Sequence, residues 1–172
     1  MKAIQTLFLL LAFTSFSQNG IESLKVHWPE EYNWKIGSNQ ENDKMHFIEL
    51  VPGDQSVENW KIIGTMISIK GMRNLPLDVY INMTFELTKE KAPKAKLTII
   101  EKDETGKNHW AIFKIESSRY IGDKNTESQL YYIVQGESSF YSTFVALKEK
   151  KLKNEFVEKW IKVFKESELV YQ

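Results

Sequence analysis

The chain has 172 residues, 23 basic against 23 acidic side chains, three histidines and no cysteine. With 42% apolar and 13% aromatic residues it is too hydrophobic for a disordered chain, and its length suits one ordinary domain. The missing cysteines exclude thiol catalysis, disulfides, iron–sulfur clusters and cysteine-held zinc, and the balanced charge argues against a nucleic-acid binder.

Residues 1–17, MKAIQTLFLLLAFTSFS, have the anatomy of a secretory signal peptide. Lys2 supplies a positive start, an apolar stretch runs to Phe13, and Ser15 and Ser17 stand at −3 and −1 of a cut before Gln18. The apolar stretch is about half of what crossing a bilayer needs, so removal is expected rather than anchoring. Removal takes away Lys2 and no acid, leaving residues 18–172 with 22 bases against 23 acids. No later stretch is apolar enough to span a membrane, and no Pro/Gly/Ser-rich linker divides 18–172, so one domain is expected there. Without disulfides, packing alone must hold it together.

An edge strand is expected around Leu24–Trp28, where Pro29 is tolerated, within an aromatic segment holding Trp28, Tyr32 and Trp34. Gly37 to Asp43 has turn chemistry, and Met45–Val51 is a strand ending at Pro52-Gly53. Asp54 or Ser56 is placed to cap a short helical turn carrying Val57 and Trp60. Ile62–Ile69, β-branched and apolar, is a central strand.

Asn74 to Lys91 carries two periods at once. Leu75, Leu77, Val79, Ile81, Met83, Phe85 and Leu87 alternate as in a strand, whereas Leu77, Tyr80, Ile81, Thr84 and Leu87 form a helical face. The length without a turn, the proline near its start and the helix-forming end favour a helix with Asn74 as its cap. Lys96–Glu101 with Trp110–Glu116, and Gln129–Val134 with Phe140–Leu147, make two hairpins. Lys151–Glu166 is an amphipathic helix with Leu152, Phe156, Trp160 and Phe164 inward, and Glu155/Lys159 and Glu158/Lys162 are placed to pair along it. The expected fold class is α+β: a mostly antiparallel sheet of about six or seven strands packed with two main helices.

The run Phe47-Ile48-Glu49-Leu50-Val51-Pro52-Gly53, then Ser56-Val57-Glu58-Asn59-Trp60 leading into a strand, resembles a group of small exported bacterial proteins. So does the later order of helix, Pro93-Lys94-Ala95-Lys96 strand, two hairpins and Trp160 helix. That group is similar to the PsbP/Mog1/DcrB-like fold, and the resemblance implies an antiparallel sheet flanked by helices but no catalytic residue. Ala92 stands where many such sequences have cysteine. The lysine bias and Gln18 resemble exported proteins of Bacteroidetes-type bacteria.

Catalytic signals are sparse. His27, His46 and His109 show no metal-ligand spacing, so a histidine site would have to be assembled in space. No serine elbow and no glycine-rich phosphate loop is present. Trp28, Tyr32 and Trp34 lie in a polar segment where not all three are expected to point inward, so they are binding candidates, with capping of a sheet edge as the alternative. The expectation is therefore a non-enzymatic, periplasmic or secreted domain that binds an envelope protein or a small ligand and needs no cofactor. The alternative is a hydrolase or lyase using His46 with Glu49.

Overall fold

The computed structural model describes residues 20–117, 119–122 and 126–172. The leader expected at 1–17 lies outside the described residues. The elements are β1 (Glu22–Lys25), β2 (Trp34–Glu41), β3 (Met45–Pro52), β4 (Ile62–Lys70), α1 (Leu77–Lys91), β5 (Lys96–Asp103), β6 (Trp110–Ser117), β7 (Glu127–Gln135), β8 (Ser139–Leu147), α2 (Asn154–Lys165) and β9 (Glu168–Tyr171). Seven strands form an antiparallel sheet in the order β2-β3-β4-β8-β7-β6-β5, and β1 pairs with β9 in a separate two-stranded ribbon. The class is α+β.

Strand alternation gives the sheet two faces. One carries Ile62 and Gly64 on β4, Tyr141 and Val145 on β8, Leu130, Tyr132 and Val134 on β7, and Ile112 on β6. Against it pack Trp160 and Phe164 of α2 and Leu24 of the ribbon. The other carries Ile133 and Tyr131, Phe140 and Phe113, and receives Leu77, Tyr80 and Ile81 from α1. One helix per face follows from the two amphipathic segments, each of which must bury its stripe on a sheet.

Several expectations are corrected. Gly37 to Asp43 is no turn: β2 runs through it to Glu41, with a bulge between Ile36 and Ser38, and the turn is confined to the residues before Met45. An edge strand exposed along one side tolerates Ser38, Asn39 and Gln40, which in an inner strand would be buried polar groups. The residues after Gly53 form a tight turn with a bridge between Ser56 and Asn59, not a helical turn. The strand expected at Leu24–Trp28 ends at Lys25 and pairs outside the main sheet, with the unforeseen β9. Helix α1 starts at Leu77, with Pro76 as its cap, while Asn74 takes a left-handed φ of 58° and caps nothing. Lys159 pairs across the fold with Glu31 instead of along its helix with Glu155.

Candidate functional site

Trp28, Tyr32 and Trp34 are brought together, and all three turn inward. They surround Trp160, which is fully buried. Ring centroids lie 5.5 Å apart for Trp28–Trp160, 6.1 Å for Tyr32–Trp160, 6.2 Å for Trp34–Trp160 and 5.3 Å for Trp28–Trp34. Edge-on and tilted contacts of this kind add stability beyond the area they bury. A side chain at Gly64 would overlap the Trp28 ring, so glycine makes the seat that Trp28 occupies on β4. Lys159 lies 4.6 Å from the Tyr32 ring centroid and closes the outer side of the group. Among the described residues the buried indole N–H groups of Trp34 and Trp160 have no hydrogen-bond partner, which fits rings placed for shape rather than for polar contact. Packing accounts for these aromatics.

His46 and Glu49 are not brought together. They are an odd number of residues apart on β3, so His46 shares the α2 face and Glu49 the α1 face. His46 Nε2 lies 2.7 Å from Asn39 Oδ1, and its cross-strand neighbour Glu41 is engaged by Lys70 at 2.5 Å. The three histidines occupy different places: His27 lies 3.5 Å from Glu168, and His109 precedes β6. Burial alone pushes the Glu49 carboxyl up.

Among the described residues Glu22 is the most heavily bonded carboxylate. It accepts from the backbone amides of Glu137, Ser138 and Ser139 at 2.7, 3.1 and 3.2 Å, and from the hydroxyls of Ser138 (3.0 Å), Tyr141 (3.2 Å) and Tyr171 (3.1 Å). Burial pushes this carboxyl up, but the amides of Glu137 and Ser138 and the hydroxyls of Ser138 and Tyr171 outweigh it and hold it below the ordinary value. A side chain at Gly136 would collide with it. The contact ties the ribbon to the β7–β8 turn, so its role is architectural.

The α1 face offers a different feature. Helix α1 seals the sheet along Leu77, Ile81 and Phe85, and Tyr80 meets Phe140 at 4.7 Å. Further along, Thr84, Leu87, Thr88 and Lys91 follow Tyr80 and Met83 in one stripe at helical spacing and stand beside the sheet over an open groove. The groove has a volume of about 520 Å³ and a floor of Ile67, Ile69, Phe144 and Tyr131, with Met45 on the far side. Leu87 is 55% exposed and Met83 49%. The expected inward position of Leu87 is therefore corrected: it belongs to the groove wall. Below the groove, Val57 and Trp60 of the β3–β4 connection cover Val51, Ile63 and Ala146.

One end of the groove is polar and internally matched. Tyr131 donates to Gln129 Oε1 at 2.5 Å, Gln129 Nε2 donates to Glu127 at 2.7 Å, and Lys148 pairs with Glu127 at 3.3 Å while stacking 3.9 Å from the centroid of Trp60. Burial, then the charge of Glu127, pushes the Tyr120 phenol up to about 12. The sequence carried a partial signal for this site: Met83 is an apolar position that the helical face of Leu77, Tyr80, Ile81, Thr84 and Leu87 leaves over.

No family model matches the chain, and no curated protein matches it.

Proposed function

We propose that the mature chain is a non-enzymatic binding domain of the cell envelope, periplasmic or secreted, which holds a small apolar ligand in the groove beside α1. The observation that carries this reading is the exposure of Met83, Leu87 and Met45 around a groove of about 520 Å³ whose floor is also apolar. Contiguous apolar surface of this kind is where ligands gain most from leaving water, and the volume falls in the range of small-molecule sites. Methionines on both walls let the groove adapt its shape. The segment 1–17 supports export, and the antiparallel sheet with one helix per face agrees with kinship to the PsbP/Mog1/DcrB-like group. His46 and Glu49 on opposite faces of β3 weigh against the hydrolase or lyase reading.

Titration with the neutral apolar dye Nile red tests the groove. Saturable binding at one site is expected, lost in Met83→Glu and in Leu87→Glu while the thermal midpoint holds. Dye binding that survives both substitutions would overturn the assignment. Intact-mass analysis of protein from its native host tests export: a chain beginning at Gln18 is expected, and one retaining Met1 rules the envelope reading out.

A further inference from the structure

The groove has direction. At the N-terminal end of α1 it is closed by the Tyr80–Phe140 contact and lined by Met45, Ile67 and Ile69. At the C-terminal end it meets Lys91, Tyr120, Glu127 and Gln129. From Tyr80 to Lys91 the helix rises about 16 Å, comparable to an extended dodecyl chain. The site is thus long, apolar along most of its length, and polar at one end.

Charge at that end is unequally distributed. Glu127 is matched by Lys148 at 3.3 Å and by the Gln129 amide at 2.7 Å, and Gln129 also holds the Tyr131 hydroxyl. Among the described residues Lys91 makes no ion pair and the Tyr120 hydroxyl no hydrogen bond. Two of the last carbonyls of α1 are engaged: Lys91 O accepts from Ile121 at 2.7 Å and Thr88 O from Ala92 at 2.7 Å. A cation and a phenol therefore line the polar end, and both are donors.

Resting on the groove reading, we propose that the ligand is a single-chain amphiphile with a carboxylate head, its chain along α1 and its head at Lys91 and Tyr120. The lysine supplies a charge-assisted hydrogen bond and the phenol a second donor. The apolar floor of Ile67, Ile69 and Phe144 takes the chain. Glu127, already matched, is kept from opposing the head.

Three ligands of one chain length separate the head from the groove: dodecanoate, dodecanol and dodecylamine, the ionic two below their micelle concentrations and the alcohol below its solubility limit, displacing Nile red. Dodecanoate is expected to bind about tenfold more tightly than dodecanol, the worth of one charge-assisted hydrogen bond, and dodecylamine most weakly. Lys91→Ala should erase the advantage of the acid over the alcohol, and Tyr120→Phe should reduce that advantage in part. Equal binding of acid and alcohol, or an advantage that survives Lys91→Ala, overturns the head assignment and leaves the groove standing. Failure of all three to displace the dye overturns both.

Discussion

The two faces of the sheet are built from similar parts and end differently. On the α2 face, Trp160 and Phe164 are fully buried and Trp28, Tyr32 and Trp34 close over them. On the α1 face, Leu77, Tyr80 and Ile81 are buried, but one to two turns later Met83 and Leu87 stand about half exposed. The difference lies in what comes second. The α2 face receives a further layer of aromatic rings from the segment after β1, whereas the outer half of the α1 face receives only the short connection bearing Val57 and Trp60. A helix shields only the strip of sheet beneath it, so a face of seven strands needs a second cover or stays open. The sealed face holds the fold, and the open one is where a ligand fits.

Substitutions can break this contrast, the deepest first. Trp160→Ala should cost about 3–5 kcal/mol in a urea titration, the usual loss for a buried tryptophan. Trp160→Phe should recover much of it, since the discarded indole N–H has no partner. Equal losses from Trp160→Ala and Leu87→Ala would show that the faces do not differ as described.

Gly64→Val should cost about 1–3 kcal/mol by forcing the Trp28 ring off β4. In a Trp28→Ala background that penalty should shrink, and a double-mutant cycle reads the coupling. Additive losses would place the clash elsewhere.

Glu22→Gln should cost about 1–3 kcal/mol, because several buried donors lose their charged acceptor. The native carboxyl is held below its ordinary value. The stability it adds is therefore present in full above the ordinary glutamate range and is lost as pH falls through the lowered value. The variant should lose less stability on acidification than the parent, and an unchanged acid limb would deny Glu22 this part. The smallest effect is expected on the open face: Leu87→Glu should stay within about 0.5 kcal/mol of the parent while abolishing dye binding.

Much of this was legible along the chain. Both hairpins, the central strand expected at Ile62–Ile69 and α2 follow from turn chemistry and period, whereas pairing His46 with Glu49 overlooked that an odd spacing on one strand sends the two to opposite faces. Other elements were hidden for physical reasons. The polar run of β2 reads as a turn because an edge strand with one solvent side has no need of apolar alternation. β9 is four residues long and acquires its meaning only from β1, the best part of the chain away. For α1, two periods overlapped, and Leu87 was assigned inward although it stands on the flank of the helix that overlooks the uncovered strip of sheet.

Local pattern thus set which segments are helix and strand, because period and turn propensity act over a few residues. Which tryptophan seats against which glycine, and which half of a face stays uncovered, depended on the order of strands in the sheet. Trp28 finds Gly64, and Met83 and Ile67 come to line one groove, only after distant segments are brought side by side, and no local sequence signal encodes that proximity.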